Sequence, residues 1–558
     1  MTYTINPFIS YLNSLHNEQA SNQNAIAEMQ IQDQHFAKTQ VRHPLTLFLK
    51  KKMETGEFVV LTGHAGDGKT TLLTQVLEAL DRKPEMLLEE DTVDCGFSLH
   101  YVKDFSELTH EKQDSVLKTC FAASEATLLI ANTGPLLNAM QRLVPDDPQL
   151  ENTLLDAMDQ PAGQSVDIAG FGTAFFLNIA RVDNTSFIRE YLQNIIQDEL
   201  WQTCDSCPKK GICPMYMNRC LVKENFARVA SFVERVYIWL QEYDNRATIR
   251  QITAHITYAM TGGVSCESVW EDGQSIWRYL YLFSNLLWGS QGAKEDIAAQ
   301  QIRGIRLLNA AGFDQKPTSI DYDLFIKHDV YRYFSPQLQG MLKEVEKLTR
   351  PISDDKKQRI LKRAYLLFGI NTPAEDRVIQ QQVFSPWFET YLDGRNNGTK
   401  PSNKIRKAIC QAINTLFVGE SYEDISNIYL TLRRNNEQTS NVQLLNGQIS
   451  EEQIRLKFEK CPTSVPDKQQ YQLMLLADEK VKFRIGLPLL NYFYEIHQGV
   501  IITDIDPMLS NGIDSLKAQL LSAFKKHNDE NEIAILFLQG SHWKRRKLIV
   551  TDNSIDHE

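Results

Sequence analysis

Short apolar runs alternate with helical patterns along the first 200 residues of the chain. Four consecutive apolar residues, Phe58 to Leu61, indicate a short buried strand. After a glycine-rich turn, apolar residues recur on one face of a predicted helix, at Leu72, Leu73, Val76, Leu77 and Leu80. A buried strand followed by a tight turn and an amphipathic helix is typical of one β-α unit in a parallel sheet.

Three further apolar segments repeat this unit. They span residues 97–102, 127–131 and 175–179, and a polar turn follows each of them. Because parallel strands are connected by helices that cover the sheet, this order predicts an α/β fold with a parallel sheet and helices on both faces. We predict that this domain spans residues 1–200.

The glycine-rich turn after the first strand carries the clearest chemical signal. Residues 63–70 fit the pattern G-x-x-x-x-G-K-[ST] at each fixed position. Glycine tolerates positive φ and adds no side chain, so backbone N–H groups can curl around a phosphate chain, and the following helix directs its positive end there. The sequence therefore predicts a phosphate-binding loop formed by Gly63, His64, Ala65, Gly66, Asp67, Gly68, Lys69, Thr70 and Thr71.

Two side chains of this loop are predicted to act on the nucleotide. Lys69 is expected to reach the β- and γ-phosphates, and the Thr70 hydroxyl is expected to ligate Mg²⁺. Together with the strand order, the loop predicts a P-loop NTPase of the ASCE or AAA-like type. The pattern does not distinguish ATP from GTP.

Hydrolysis also needs an acid that positions Mg²⁺ and water. Asp104, after the second predicted strand, is the first candidate, and Glu107 is the candidate that polarises the attacking water. The usual pattern has a glutamate directly after the aspartate, and Phe105 stands there instead. The acidic run 89–91 is a rival, and a surface turn capped by Asp104 is the simple structural alternative.

Polar residues near the ends of two other strands are candidates for a γ-phosphate sensor. Asn132 follows the strand 127–131 and Asn178 lies in the strand 175–179, and both remain candidates. Ligands of open α/β sheets bind at the carboxyl ends of strands. Arg250, at the start of a later apolar helix, is the candidate for a lid arginine, with a solvated arginine as the alternative.

Four cysteines fall within seventeen residues, separated by two, five and six residues. Soft thiolates in a short loop suit tetrahedral Zn²⁺, and an iron–sulfur cluster has the same ligand demand. A group of free thiols is the simple alternative. We predict a metal-binding insertion at residues 201–222 that holds a structural Zn²⁺, with an iron–sulfur cluster left open, through Cys204, Cys207, Cys213 and Cys220.

The second half of the chain is less informative. Residues 223–312 are helical by pattern and predict a helical lid. Residues 313–558 predict a mixed α+β region of one or two subdomains. Four cations at residues 544–547 follow Trp543 and are candidates for phosphate contacts, with the indole ring available for stacking on bases. An edge strand kept soluble by its charge is the alternative.

Charge and composition narrow the class of protein. The net charge of −11 argues against a surface that coats nucleic acid as a whole, while a local basic patch stays compatible with it. No apolar run approaches the roughly 18 to 20 residues of a membrane helix, and the N-terminus lacks a secretory pattern. We therefore expect a cytoplasmic protein with no membrane partner.

Four segments together resemble a group of bacterial defence ATPases: GHAGDGKTT at 63–71, KDFSEL at 103–108, LLIANTGPL at 128–136 and LNIAR at 177–181. The chain is similar to the DptF-like ATPase subunits of DNA restriction systems that depend on DNA phosphorothioation. The resemblance covers about the first 250 residues.

This resemblance implies ATP as the nucleotide and hydrolysis as its fate. It also implies partner subunits, one of them a larger helicase-like ATPase, in an anti-phage complex that attacks DNA lacking the phosphorothioate mark. DNA would be contacted directly or through the partners. A STAND-type signalling or scaffold NTPase that uses nucleotide as a switch is the alternative. The intact Lys69 and Thr70 argue against a third hypothesis, a DNA-binding subunit with a vestigial loop.

Overall fold

The chain forms two compact units. The computed structural model describes residues 4–16, 33–82, 87–123, 125–272, 277–292, 295–327, 332–346, 354–419, 426–431, 441–462, 470–500, 505–524, 532–540, 542–551 and 554–557. The first unit comprises Met1–Val383 with Pro462–Lys468, and the second comprises Phe384–Cys461 with Gln469–Glu558. The predicted boundaries at residues 200 and 312 both fall inside the first unit.

A six-stranded, mostly parallel sheet is the centre of the first unit. Its strands are β1 (Phe58–Thr62), β2 (Glu90–Asp94), β3 (Ser98–Val102), β4 (Ala126–Ile130), β5 (Gln164–Ile168) and β6 (Gly172–Asn178). They lie in the order β2-β3-β4-β1-β6-β5. The four inner strands are parallel, whereas β2 and β5 pair antiparallel with their neighbours. The predicted α/β class is confirmed at this level.

The two antiparallel edges are hairpins that the apolar pattern does not reveal. β2 and β3 are joined by a tight turn in which Gly96 has φ of +82°, and Gly170, at +80°, lies in the turn between β5 and β6. Residues 90–94 read Glu-Asp-Thr-Val-Asp and are partly or fully exposed. Such polar edge strands pair with only one neighbour, so they do not need the continuous apolar run of an inner strand.

Helices cover both faces of the sheet. The helices of this region are α1 (Pro7–Ser14), α2 (Gln34–Thr39), α3 (Thr46–Glu54), α4 (Lys69–Ala79), α5 (His110–Ala122), α6 (Thr133–Leu143) and α7 (Leu150–Asp159). Alternate residues of β1 enter different cores: Val59 packs with α3 and α4, whereas Val60 packs with α5, α6 and α7. The result is a three-layer arrangement that leaves the carboxyl ends of the inner strands at one edge.

The rest of the first unit is helical. It contains α8 (Ser186–Ile195), α9 (Asp198–Asp205), α10 (Pro214–Glu224), α11 (Phe226–Glu242), α12 (Ile249–Thr261), α13 (Cys266–Asp272), α14 (Trp277–Leu280), α15 (Phe283–Leu286), α16 (Arg303–Ala311), α17 (Asp321–Phe325), α18 (Pro336–Glu346), α19 (Asp354–Phe368) and α20 (Pro373–Val383). Among the helices in the described ranges, none is long and apolar enough to span a bilayer.

Helices α11 and α12 are tied together by a buried histidine. The His255 ring of α12 hydrogen bonds the Tyr237 hydroxyl of α11 and the carbonyl of Leu287, each at 2.7 Å. Burial lowers the pKa of His255 to about 4. Because the neutral ring satisfies one acceptor and one donor, these helices pack without a buried charge.

The second unit is α+β. Its helices are α21 (Phe388–Asn397), α22 (Asn403–Val418), α23 (Leu487–His497) and α24 (Pro507–Phe524). Its strands are β7 (Asn427–Thr431), β8 (Val442–Ser450), β9 (Ile454–Lys460), β10 (Tyr471–Ala477), β11 (Val481–Arg484), β12 (Glu532–Gln539), β13 (His542–Val550) and β14 (Ile555–His557). Two antiparallel sheets result, β14-β13-β12-β8-β7 and β11-β10-β9.

The basic segment forms a hairpin with β12, but its tryptophan is not exposed. Trp543 is 7% exposed and packs with Leu536 in the core of the second unit, so the prediction that its ring stacks on bases is wrong. β14 pairs with residues 548–550 of β13, so among the described strands the cationic residues 544–547 pair with β12 alone, as the alternative of a charged edge strand predicts. Among these cations, Arg546 lies over the Phe537 ring at 4.8 Å.

Candidate functional site

The predicted phosphate-binding loop connects the buried strand β1 to helix α4. Gly66 and Gly68 have φ of +87° and +86°, a region that favours glycine. A Cβ added to Gly66 would lie 3.1 Å from both the Arg250 Cβ and the Thr248 Oγ1. Glycine is therefore needed at position 66 for two reasons: the positive φ of the loop, and the close contact with the residues at the start of α12.

Lys69 is held at the mouth of the loop by three acceptors. Its Nζ donates to the carbonyls of Gly63 and His64, at 2.9 and 3.1 Å, and to Asn132 Oδ1 at 2.9 Å. Burial lowers the pKa of Lys69, while Asp67 and Asp104 act in the opposite direction. The ammonium group is thus oriented by the backbone of the loop and by one side chain from the next strand.

Of the two predicted sensors, Asn132 is the one that the structure brings to Lys69. Asn132 follows β4, which lies beside β1, and its backbone N–H donates to Ser106 Oγ at 2.7 Å. Asn178 ends β6 on the other side of β1, and its Oδ1 accepts from the Ala180 N–H at 3.0 Å. The second amide therefore caps a turn.

Among the candidate acids, Asp104 lies closest in the fold to the loop. It follows β3, and its charge acts on Lys69, although its Oδ1 also accepts from the Ser106 N–H at 3.1 Å and caps a short 3₁₀ turn. Glu107, at the end of that turn, is exposed. The rival Glu90 lies on β2, one strand further from β1, with its Oε1 3.3 Å from His100 Nε2.

A buried ion pair, which the sequence reading missed, joins the loop to the start of α12. Asp67 is 1% exposed, and Arg246 Nη1 donates to its Oδ1 at 2.8 Å. The backbone N–H of His64 donates to the second carboxylate oxygen at 3.0 Å, and Asn184 Nδ2 lies 3.5 Å from the first. Arg246 lies one helical turn before Arg250, the predicted lid arginine. This spacing is the signal in the sequence that could have identified Arg246 as a second arginine near the loop.

The predicted lid arginine also lies against the loop. The backbone N–H of Arg250 donates to the Gly66 carbonyl at 3.1 Å, and the guanidinium charge contributes to the lowered pKa of Lys69. Burial lowers the pKa of Arg250 itself. Helix α12 begins here because Thr248 and Gln251 form a capping box. A second cation therefore faces the loop, as an anion-binding site requires.

The remaining loop residues follow the expected arrangement. His64 and Ala65 are exposed at the tip of the loop, whereas Thr70 and Thr71 are half-buried in the first turn of α4. The first N–H groups of a helix have no acceptor within the helix and point along its axis. Backbone donors, Lys69 and Arg250 thus surround one place at the carboxyl end of the sheet.

Three of the four predicted cysteine ligands lie together. Cys204 is in α9, Cys207 is in the turn that follows, and Cys213 precedes α10. They line a cavity of about 20 Å³, and its fourth cysteine is Cys266, the first residue of α13, rather than Cys220. We call this the cysteine cavity. Cys220 lies about 10 Å along α10 from Cys213, given the rise of a helix.

Burial acts most clearly on two thiols of the cysteine cavity. Burial raises the pKa of Cys204 to about 11 and that of Cys213 to about 12, and the nearby Cys266 contributes to both. As the side chains stand, the described part of the chain contains no group of three His, Cys, Asp or Glu side chains arranged to hold a metal ion. The predicted zinc through Cys220 therefore has no support from side-chain placement.

Comparison of the chain with known protein families, with curated proteins and with solved structures finds no match. The resemblance to DptF-like subunits therefore stays a prediction. The function must be argued from the site itself.

Proposed function

We propose that the chain binds ATP with Mg²⁺ at the loop of residues 63–70 and hydrolyses it. The observation that carries this proposal is the 2.9 Å contact between Lys69 Nζ and Asn132 Oδ1. It joins the cation of the loop to the polar end of the neighbouring strand. A glycine-rich turn without function would not need a half-buried lysine tied to a second strand.

The charges around the loop support an anionic ligand. Lys69 and Arg250 face the same place as the N–H groups at the start of α4, and the nearby Asp67 is already paired with Arg246. A triphosphate meets backbone donors, a helix N-terminus and cations together here, and each of these stabilises negative charge. The pairing of Asp67 leaves the cationic character of the site largely intact.

The order of the strands supports hydrolysis as well as binding. The strand that ends in Asn132 lies between the loop strand β1 and the strand followed by Asp104, which is the arrangement expected of ASCE-type NTPases. Mg²⁺, when bound, would neutralise charge on the transferring phosphate, and Thr70 and Asp104 are the residues that would hold it. Asn132 would orient the γ-phosphate or the water.

ATP turnover by the purified chain, with and without duplex DNA, tests the proposal. We expect measurable turnover that Lys69→Ala lowers by about 100-fold or more, because an oriented charge on the transferring phosphate is lost. Lys118→Ala is the matched control, since Lys118 is exposed on α5, and it should stay within about twofold. Turnover that survives in Lys69→Ala would show that the activity arises elsewhere.

The place of the chain in a DNA restriction complex stays a prediction from the resemblance. Turnover that rises with duplex DNA favours it, with DNA bound directly or through partner subunits. Self-association that depends on nucleotide and proceeds without DNA favours the STAND-type switch instead.

A further inference from the structure

We propose that one structural Zn²⁺ ion is bound by Cys204, Cys207, Cys213 and Cys266. The proposal changes the ligand set that the sequence suggests, because Cys266 takes the position expected of Cys220. It is independent of the nucleotide site.

The cysteine cavity brings together segments that are distant in the sequence. Residues 204–213 supply three cysteines. The fourth, Cys266, is the first residue of α13, which follows α12 in the chain. Thr4 and Asn6 complete the lining from the N-terminal segment. Four cysteines on one small cavity are what a tetrahedral thiolate site requires, whereas chance thiols have no reason to converge from two distant segments.

The fourth ligand is decided by helix geometry. Cys213 and Cys220 are separated by about 10 Å along α10, and sulfur atoms of one tetrahedral zinc site lie less than about 4 Å apart, given Zn–S bonds of about 2.3 Å. Cys220 therefore cannot share an ion with Cys213 while α10 is intact. Cys266 lies on the cavity with the helices as they stand.

The surroundings of the cavity suit a negatively charged metal centre. Four thiolates around Zn²⁺ carry a net charge of about −2, and two lysines, Lys209 and Lys210, line the cavity. Asn6 Nδ2 donates to Cys204 Sγ at 3.3 Å, a contact that stabilises charge on sulfur. Lys209 Nζ lies 5.7 Å from the centre of the Trp270 ring of α13, which keeps this cation beside the site.

The size of the cavity favours a single ion. A cavity volume of about 20 Å³ has room for one ion. Zn²⁺ has no geometric preference of its own and accepts four thiolates in closed structural sites. The ion would connect α9, the segment between α9 and α10, and α13.

The test compares two cysteines in the full-length protein. Protein purified from zinc-supplemented medium is expected to hold about one zinc per chain by atomic emission. Cys266→Ser should lose most of this zinc, whereas Cys220→Ser, the matched control from the same helical region, should keep it. Equal loss in both variants, retention in Cys266→Ser, or wild-type protein without zinc overturns the proposal. Iron with acid-labile sulfide in place of zinc overturns it as well.

A measurement on the wild-type chain avoids the risk that Cys266→Ser does not fold. The protein is alkylated with iodoacetamide before and after treatment with a chelator, and the labelled cysteines are identified by mass spectrometry. We expect Cys266 to be protected at least tenfold until the chelator is added, as bound thiolates are poor nucleophiles. Cys220 should react equally in both samples. Protection of Cys220 with free reaction of Cys266 restores the ligand set suggested by the sequence.

Discussion

The proposed phosphate-binding loop and the cysteine cavity lie in one unit and are built in opposite ways. The loop is one stretch of eight consecutive residues, 63–70, so the sequence has only to allow its curl, which Gly66 and Gly68 do. The cavity uses side chains from residues 204–213 and from Cys266, more than fifty residues later. Local chain geometry builds the first site, and tertiary packing builds the second.

The two sites also differ in how they balance charge. In the loop, Asp67 is almost fully buried and paired with Arg246, and Lys69 faces three acceptors. In the cavity, burial raises the pKa of Cys213 to about 12, which disfavours the thiolate unless a cation is present. The charged groups of the loop are thus already paired, whereas the thiols of the cavity stay neutral unless a cation binds beside them.

The largest effect on ATP turnover is expected from Asp104, the acid next to the loop. Asp104→Asn should lower ATP turnover by about 100-fold while ATP binding changes little, because a carboxylate that holds Mg²⁺ acts mainly in the transition state. Glu107→Gln should change turnover by less than about threefold, since Glu107 is exposed. Steady-state kinetics and equilibrium nucleotide binding separate the two effects.

A larger effect of Glu107→Gln than of Asp104→Asn would contradict this description of the loop. If Glu107→Gln is the more damaging change, Asp104 serves only as the cap of its 3₁₀ turn. The acid that supports hydrolysis then lies in the turn after β3 and not at the end of the strand. If neither variant changes turnover, the acid is to be sought on β2, where Glu90 lies.

The ion pair between Arg246 and Asp67 tests whether the loop depends on distant residues. Arg246→Ala should lower the free energy of unfolding by about 2 kcal/mol, because among the described residues it leaves the buried Asp67 with the His64 N–H and Asn184 as its hydrogen-bond partners. Urea denaturation measures the change. Arg181→Ala is the matched control: its pair with Asp159 is exposed, and about 0.5 kcal/mol is expected.

A double variant decides how this loss is to be interpreted. If Asp67→Asn restores stability in the Arg246→Ala background, the cost comes from the unpaired carboxylate. A loss as small as that of Arg181→Ala would instead mean that the loop keeps its conformation without help from α12. The contrast with the cysteine cavity would then be greater than the contacts suggest.

The sequence predicts the local parts of this protein well. β1, the loop and α4 follow from residues 58–80 because their apolar pattern, glycines and helix start are all local signals. β3, β4 and β6 follow from apolar runs for the same reason. The edge strands β2 and β5 are missed because they are polar and are specified by pairing with a neighbour.

What the sequence could not decide depends on which residues meet in space. Asn132 and Asn178 both end strands beside β1, and only the strand order and the turn at Ala180 separate their roles. Arg246 reaches Asp67 across 179 positions. The sequence favours Cys220 over Cys266 as the fourth ligand because Cys220 is nearer along the chain. The rise of α10, however, places Cys220 about 10 Å from Cys213.

The smallest expected effect tests the contact that connects the loop to the sheet. Asn132→Ala should lower turnover by about tenfold, or about 1.4 kcal/mol, because Lys69 loses one of its three acceptors and any orienting amide. Asn178→Ala is the matched control, since it is also half-buried at the end of a strand beside β1, and should stay within about threefold. Single-turnover kinetics measures the chemical step.

If Asn178→Ala is the more damaging variant, the sensor is on the β6 side of the loop, and the contact between Lys69 and Asn132 is only a resting interaction. If both variants match the wild type, the loop acts without either strand end, as a self-contained site of backbone donors and one lysine. An effect confined to Asn132→Ala means instead that even this local site takes one essential group from a neighbouring strand, because β4 lies directly beside β1. The difference from the cysteine cavity is then one of degree: residues of β4's end and of the start of α12 contribute to the loop, whereas three segments are needed to form the cavity.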